Sequence, residues 1–245
     1  MSLQLQMIGT GSAFAKTFYN NNALIYLNDF TLLIDCGYTA PRALFELGIS
    51  LDQIDAALIT HIHADHVGGL EELAFQCLYT FKRRIKLLVP FSIEHMLWDH
   101  SLRGGLENKD EGISSLNDYF DVIPLAENTP ISIRPDLTVR LLPTDHIRGK
   151  KSYSLLLNDR LFYSADARFD LELLMSLHIK GCDHFLHDCQ LHSPGHVHAS
   201  LEELLTLPVD LQQKTWLMHY SDQMPDYIGK TGHMRFIEPF KRYTF

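Results

Sequence analysis

His61, His63, Asp65 and His66 fall within six consecutive positions, in the run Thr-His-Ile-His-Ala-Asp-His-Val-Gly-Gly at 60–69. Three imidazoles and a carboxylate at this density are donors for a first-row metal ion. Imidazole suits zinc, iron or nickel, and carboxylate adds charge and favours a harder ion. The apolar run at 56–59 just before them reads as a buried strand. Successive strand residues point to opposite faces, so a turn after His61 must redirect the donors, and a site for two neighbouring ions becomes a reasonable expectation. A solvated histidine-rich loop would explain one or two imidazoles, but not His-x-His-x-Asp-His followed by Gly68 and Gly69.

The elements that carry this run can be read outward from it. Leu3, Leu5 and Met7 alternate towards a Gly9-Thr10-Gly11 turn, and 24–27 pairs with 31–34 as a hairpin around Asn28-Asp29, ending at Asp35-Cys36-Gly37. A helix is predicted over 41–47, stopped by Gly48. A second, over 68–81, places Leu70, Leu73, Ala74, Cys77 and Leu78 at helical spacing behind the site. A strand at 85–89, a helix over 93–102 and a polar stretch at 104–115 follow, the last reading as a mobile loop near the site. Further strands are predicted at 139–142, 154–157 and 161–163, the last two joined by Asn158-Asp159. Strands recur in both halves, with helices but without strict alternation, which suggests two packed sheets with outer helices. No linker, low-complexity tract or short repeat divides residues 1–245, so the chain reads as a single domain.

Each further candidate donor sits where a strand should end. His146 follows the strand at 139–142, Asp166 follows 161–163, and His219 follows the apolar run at 215–218. Strand ends on one edge of a sandwich converge, so separation in sequence need not matter. Between Asp166 and His219, Asp188 closes a buried-looking strand at 184–187. His198 stands just before Ser200 and Glu203, which form a capping box and open a helix. An Asp188–His198 pair beside a metal site is what a leaving alkoxide requires, an imidazolium general acid oriented by a carboxylate. His198 could instead serve the helix start alone. His187, His192 and His196 lie close enough in sequence to touch substrate, although packing or solvated roles suit each better.

The run Thr-His-Ile-His-Ala-Asp-His resembles the metal-binding signature of the metallo-β-lactamase superfamily. That resemblance implies an α/β fold, a four-layer αββα sandwich with the site at one edge. It also implies a first ion on His61, His63 and His146 and a second on Asp65, His66 and His219, with Asp166 bridging. Two divalent ions, zinc foremost with manganese or iron(II) as alternatives, would deprotonate a water held between them near neutral pH. Asp65 then counts as catalytic as well as a ligand. Leu217-Met218-His219-Tyr220-Ser221, the acidic residue paired with a helix-opening histidine, Gly9-Thr10-Gly11 and Asp35-Cys36-Gly37 are together similar to the ribonuclease Z branch. Here the acidic residue is Asp188 where that branch usually has glutamate, a shorter reach.

The interval between His146 and Asp166 is short and occupied by two predicted strands, leaving no room for the arm with which ribonuclease Z grips transfer RNA. The resemblance therefore points to the arm-less phosphodiesterases that act on small substrates, and precursor tRNA is disfavoured as a partner. Arg148, Lys150 and Lys151, just past His146, are candidates to hold a phosphate oxygen. A lactonase or glyoxalase-II-like thioesterase would use the same metals with less need of the Asp188–His198 pair, because its leaving groups are better. A non-catalytic metal carrier on the same fold would be expected to have lost ligands, and none is missing here.

Composition narrows the classes further. The formal charge of −9 argues against a general nucleic-acid surface, since phosphate binding draws on Lys and Arg. Lys82-Arg83-Arg84 is the other basic cluster, and such clusters are usually solvated surface. Cys36, Cys77, Cys182 and Cys189 form no Cys-x-x-Cys pair. The N-terminal residues do not read as a signal peptide, and nothing approaches a membrane span. A reduced cytoplasmic compartment is the expectation, with a homodimer suggested by the family alone.

Overall fold

The computed structural model describes residues 3–245; Met1 and Ser2, where the absence of a leader was read, lie outside the described residues. The chain's strands are β1 (Gln4–Gly9), β2 (Asn22–Leu27), β3 (Phe30–Ile34), β4 (Ala56–Leu58), β5 (Lys86–Pro90), β6 (Asp121–Leu125), β7 (Ile131–Arg134), β8 (Leu137–Pro143), β9 (Tyr153–Leu157), β10 (Leu161–Tyr163), β11 (His184–Asp188), β12 (Thr215–Met218), β13 (Arg235–Phe236) and β14 (Arg242–Thr244). They form two seven-stranded sheets, ordered β14-β1-β2-β3-β4-β5-β6 and β13-β12-β11-β10-β9-β8-β7. One large core cluster, with Leu5, Leu33, Leu58, Leu141, Leu155 and Leu186 among its members, draws on both sheets. A second covers the outer face of the second sheet through Phe162, Phe185, Leu174 and Leu204. This is the metallo-β-lactamase sandwich expected from the sequence.

Central strands carry apolar residues on both faces because both faces are covered. All five residues of β9 are buried, as are the first four of β2. Strand β8 instead alternates, with Leu137, Val139 and Leu141 turned inward.

Each sheet opens with an antiparallel meander and continues in parallel. In the first, β3 runs parallel to β4, β4 to β5 and β5 to β6; in the second, β10 to β11, β11 to β12 and β12 to β13. Parallel neighbours need crossover segments, and these supply the helices. In the first sheet they are α1 (Ala40–Glu46), α2 (Ala64–Val67), α3 (Leu70–Phe75), α4 (Phe91–Leu97) and α5 (Arg103–Leu106); in the second, α6 (Leu171–Ile179), α7 (Leu201–Leu204) and α8 (Val209–Gln212). The parallel strands of a sheet therefore deliver their C-terminal ends to one edge, where open α/β sheets place their ligands. Asp35, Ala165 and His219, each the residue one or two past β3, β10 and β12, adopt left-handed backbone with φ of 56°, 49° and 55°.

Several local expectations are refined. The helix predicted over 68–81 ends as α3 at Phe75 and continues as a π-helical turn, Gln76–Thr80. The helix predicted over 93–102 starts two residues earlier and runs through another π turn, Trp98–Leu102, into α5. Part of the polar stretch at 104–115 is thus helical. It is tied down by the Tyr119 hydroxyl donating to the Leu106 carbonyl at 2.9 Å and the Tyr79 hydroxyl donating to Glu111 at 2.8 Å. Asn158 and Asp159, with φ of 52° and 54°, form the tight β9–β10 hairpin turn, so the span from His146 to Asp166 holds a loop and this hairpin and no arm. Among the described residues no helix is long and apolar enough to cross a membrane.

Candidate active site

The redirecting turn after His61 is made by α2. His63 is extended (φ −74°, ψ 152°) at the helix N-cap position, and the single helical turn brings Asp65 and His66 back towards His61. Asp35, fully buried at the end of β3, anchors the run. It accepts from the Thr60 amide at 2.8 Å, from the Thr60 hydroxyl at 2.7 Å and from His66 Nδ1 at 2.7 Å. Asn22 accepts from the Gly37 amide at 2.9 Å, and Gly37 lies so close to the run that a Cβ there would stand 1.9 Å from the Asp65 carbonyl oxygen. Asp35 and Asn22 were not singled out from the sequence. Asp35 reads there as a hairpin end and as part of the Asp35-Cys36-Gly37 resemblance, neither of which gives it a bracing role.

The structure brings all seven predicted donors together as two groups that share Asp166. In the first, His63 Nδ1 lies 3.0 Å from His61 Nε2 and 3.3 Å from His146 Nε2, while Asp166 Oδ2 is 3.7 Å from His61 Nε2 and 3.6 Å from His146 Nε2. In the second, His66 Nε2 lies 3.3 Å from Asp65 Oδ2 and 3.2 Å from Asp166 Oδ1, and His219 Nε2 lies 3.4 and 3.3 Å from the same two oxygens. Donors placed tetrahedrally about a zinc ion at its usual bond lengths stand about 3.3 Å apart. Both sets have that spacing.

The hydrogen bonding around the sets fits the same reading. Thr60 donates its hydroxyl proton to Asp35, so the oxygen accepts from His61 Nδ1 at 3.1 Å. His66 donates Nδ1–H to Asp35, and His146 donates Nδ1–H to the Val197 carbonyl at 2.7 Å. Each of these rings is thereby fixed with Nε2 facing the cluster, the orientation that metal-binding histidines require. His66 Nε2 and Asp166 Oδ1 are buried with no hydrogen-bond partner, a cost of about 1–3 kcal/mol each unless something else satisfies them.

Electrostatics separate the two sets. Burial pushes the His61 imidazole well below its ordinary range and His63 down to about 4, with neighbouring imidazoles adding to both; burial also lowers His146. These rings stay neutral, the metal-binding form. For His66 burial acts downward but is outweighed by the charges of Asp166, Asp65 and Asp35, which hold a proton on it. Burial would raise the Asp166 carboxyl, yet His219 and His66 keep it well below the carboxylate range. The second pocket demands positive charge, which a divalent ion would provide in place of that proton.

Beside both sets stands the predicted pair. Asp188, at the end of β11 and fully buried, accepts from His198 Nδ1 at 2.7 Å. The His198 ring lies 4.9 Å from that of His146 and 4.8 Å from that of His219. Burial lowers His198, but the Asp188 hydrogen bond and charge prevail and lift it to about 9. Ser200 and Glu203 form the expected capping box at α7, and Gln190 N donates to Ala199 O, so the segment bearing His198 is clamped at its far end.

Of the basic residues, Lys150 and Lys151 line a hollow of about 40 Å³ with His61, Ile62, His63, Ile93, Met96 and His146, while Arg148 is exposed nearby. The Lys82-Arg83-Arg84 cluster is structural in part. Arg83 donates to the carbonyls of Asp52 and Ile54, and Arg84 to that of Asn117. His187 turns its Nδ1 to Asp188 rather than outward to substrate.

The two clustered His/Asp sets on the metallo-β-lactamase fold define the chain as a metal-dependent hydrolase. Three solved structures share the whole architecture at 16% identity. They are the metallo-β-lactamase fold protein YhfI from Bacillus subtilis (TM-score 0.77, covering 100% of both chains), a diphosphatase of the PhnP family (0.74, covering 100% of this chain and 98% of that one) and the short form of human tRNase Z (0.69, covering 98% of each). The chain belongs to the anti-Pycsar protein Apyc1 family, whose model matches residues 3–243. It is 60% identical over 246 residues to the Apyc1 protein of Paenibacillus xerothermodurans, covering 100% of this chain and 98% of that one. To the Paenibacillus harenae protein it is 54% identical over 241 residues, covering 98% and 99%.

Proposed function

We propose that this chain is a dinuclear-metal phosphodiesterase that hydrolyses a small phosphodiester, with cyclic nucleotides as the first substrates to test. The observation that carries the reading is the Asp188–His198 pair, a 2.7 Å carboxylate–imidazole contact set against the rings of His146 and His219. Good leaving groups depart without a proton. An alkoxide, as in a nucleotide diester, departs slowly without one, and a held general acid contributes roughly 10²–10⁴-fold. The anti-Pycsar name of its relatives and the lack of an RNA-gripping arm support a small substrate.

In this reading His61, His63 and His146 would hold one ion, Asp65, His66 and His219 the other, and Asp166 would be shared between them. Divalent ions, zinc foremost, supply Lewis acidity there, lowering the pKa of water and offsetting the charge that develops on phosphorus oxygens. Asp35, Thr60 and the Val197 carbonyl hold three of the rings with Nε2 inward. Asp188 holds His198 through Nδ1, leaving Nε2 to deliver its proton to the departing oxygen, while Lys150 and Lys151 bring positive charge to the rim beside His146.

Metal analysis of the purified protein, paired with bis(p-nitrophenyl) phosphate, a panel of cyclic nucleotides, and lactone and thioester substrates, tests the proposal. Close to two ions per chain with preferential phosphodiester turnover is expected. Preference for lactones or thioesters would move the chain to that class of hydrolase, and no metal after reconstitution would overturn the metalloenzyme assignment.

A further inference from the structure

Only one oxygen of the Asp188 carboxylate is well bonded. Oδ2 accepts from His198 Nδ1 at 2.7 Å and from the Ala167 amide at 3.2 Å, whereas Oδ1 is buried without a well-aligned partner. Rotation about the Cβ–Cγ bond would swing Oδ2 away from His198, so something must resist it. His187 Nδ1 stands 3.2 Å from Oδ1. His187 is 2% exposed and lies on the opposite face of β11, the face that Phe185 buries in the outer cluster. Its Nδ1 is also 2.9 Å from the carbonyl of Asp188 itself, an acceptor that fixes the proton on that nitrogen. A single N–H is thus aimed between two oxygens of the same residue. The rest of the ring adjoins Phe162, 6.1 Å between centroids, and lines a cavity of about 830 Å³ whose walls include none of the seven metal-donor residues.

We infer that His187 is a positioning residue for the general acid: its Nδ1–H, shared between the Asp188 carbonyl and Oδ1, holds the carboxylate in the rotation that presents Oδ2 to His198. The inference rests on the reading that His198 protonates the leaving group. His187 belongs to neither donor set and, in this inference, acts only through Asp188. Mere packing is the rival account, since any ring of this size would fill the space beside Phe162.

Two substitutions separate these accounts. His187→Phe keeps a ring and removes the N–H; His187→Asn gives up the ring but can place an N–H near the same point. With the metal-loaded protein, His187→Phe should lower kcat for an alkyl phosphodiester on the order of tenfold, a fraction of what the acid itself can contribute. KM, metal content and turnover of bis(p-nitrophenyl) phosphate should stay near wild type, and His187→Asn should recover most of the loss. Equal loss on both substrates, or His187→Asn no better than His187→Phe, would overturn the inference. If His187→Phe does not fold, His187→Leu replaces it as the variant without a donor and is read the same way.

His198→Ala in parallel keeps the two readings apart. If it shows no dependence on the leaving group, the general-acid reading fails. The His198 Nδ1–H resonance then still decides the inference: it should exchange faster with water in His187→Phe and return in His187→Asn. A resonance unchanged in position and exchange would overturn the positioning role whatever the substrates do.

Discussion

The two sheets repeat one plan and put it to different uses. The last strand of the antiparallel meander is β3 in one and β10 in the other, and each is followed by a left-handed turn and an aspartate at or next to it, Asp35 and Asp166. Asp35 belongs to neither donor set and braces His66 and Thr60, while Asp166 enters both sets. The next parallel strands, β4 and β11, again correspond. The loop after β4 folds at once into α2 and supplies four donors, whereas the end of β11 and the loop after it supply the Asp188–His198 pair. In the first half the donors are organised locally by one helical turn and one buried carboxylate. In the second half each donor comes from a separate strand end and is aligned only when the whole sheet is formed. On the proposed reading, equivalent backbone positions are divided between gathering charge and moving a proton.

Substitutions in each half should sharpen this division. The largest effect belongs to Asp166, the one residue common to both sets: Asp166→Ala should cut bound metal and bring activity to background, and retention of both ions by elemental analysis would remove it from the shared position. His198→Ala should lower kcat for an alkyl diester roughly 10²–10⁴-fold with metal content unchanged. An intact rate would leave the second half with no proton-moving role. Asp35→Asn keeps the shape of the brace and removes its charge, so metal affinity measured by competition with a chelator should weaken about 10–100-fold. An affinity equal to wild type would show that the first half does not need its anchor. Lys151→Ala, at the exposed rim, should raise KM by no more than about fivefold, with the difference shrinking as salt is added.

The same asymmetry explains what could be read from the chain alone. The loop after β4 was legible because its donors are contiguous and their types leave few other readings. His146, Asp166 and His219 carry no such local signal; each is a lone polar residue after an apolar run, and their grouping came from resemblance to a family. The braces were harder still. Asp35 and Asn22 look like ordinary turn and strand-start residues, and only the fold shows that both are buried against the His61–His66 run. Central strands were found from their apolar runs, while β6 and β7 were not. Each is the edge strand of its sheet, mostly exposed or half-buried, and β6 carries Pro124, which an edge tolerates. The helix α6 also went unpredicted, although Asp170 caps it by accepting from the Leu173 amide at 2.9 Å.

The left-handed turns after β3, β10 and β12 bear on any attempt to engineer this protein. None of the three residues is glycine, and such backbone costs about 1 kcal/mol or more at each. Replacing Ala165 with glycine is the kind of change that raises a melting temperature, yet Ala165 aims the neighbouring carboxylate that both donor sets share. A search for heat-resistant variants would therefore be drawn to the positions where rigidity is worth most to catalysis. Gains in shelf life taken there would come with slower turnover, whereas gains taken at the solvent-facing ends of the sheets would not.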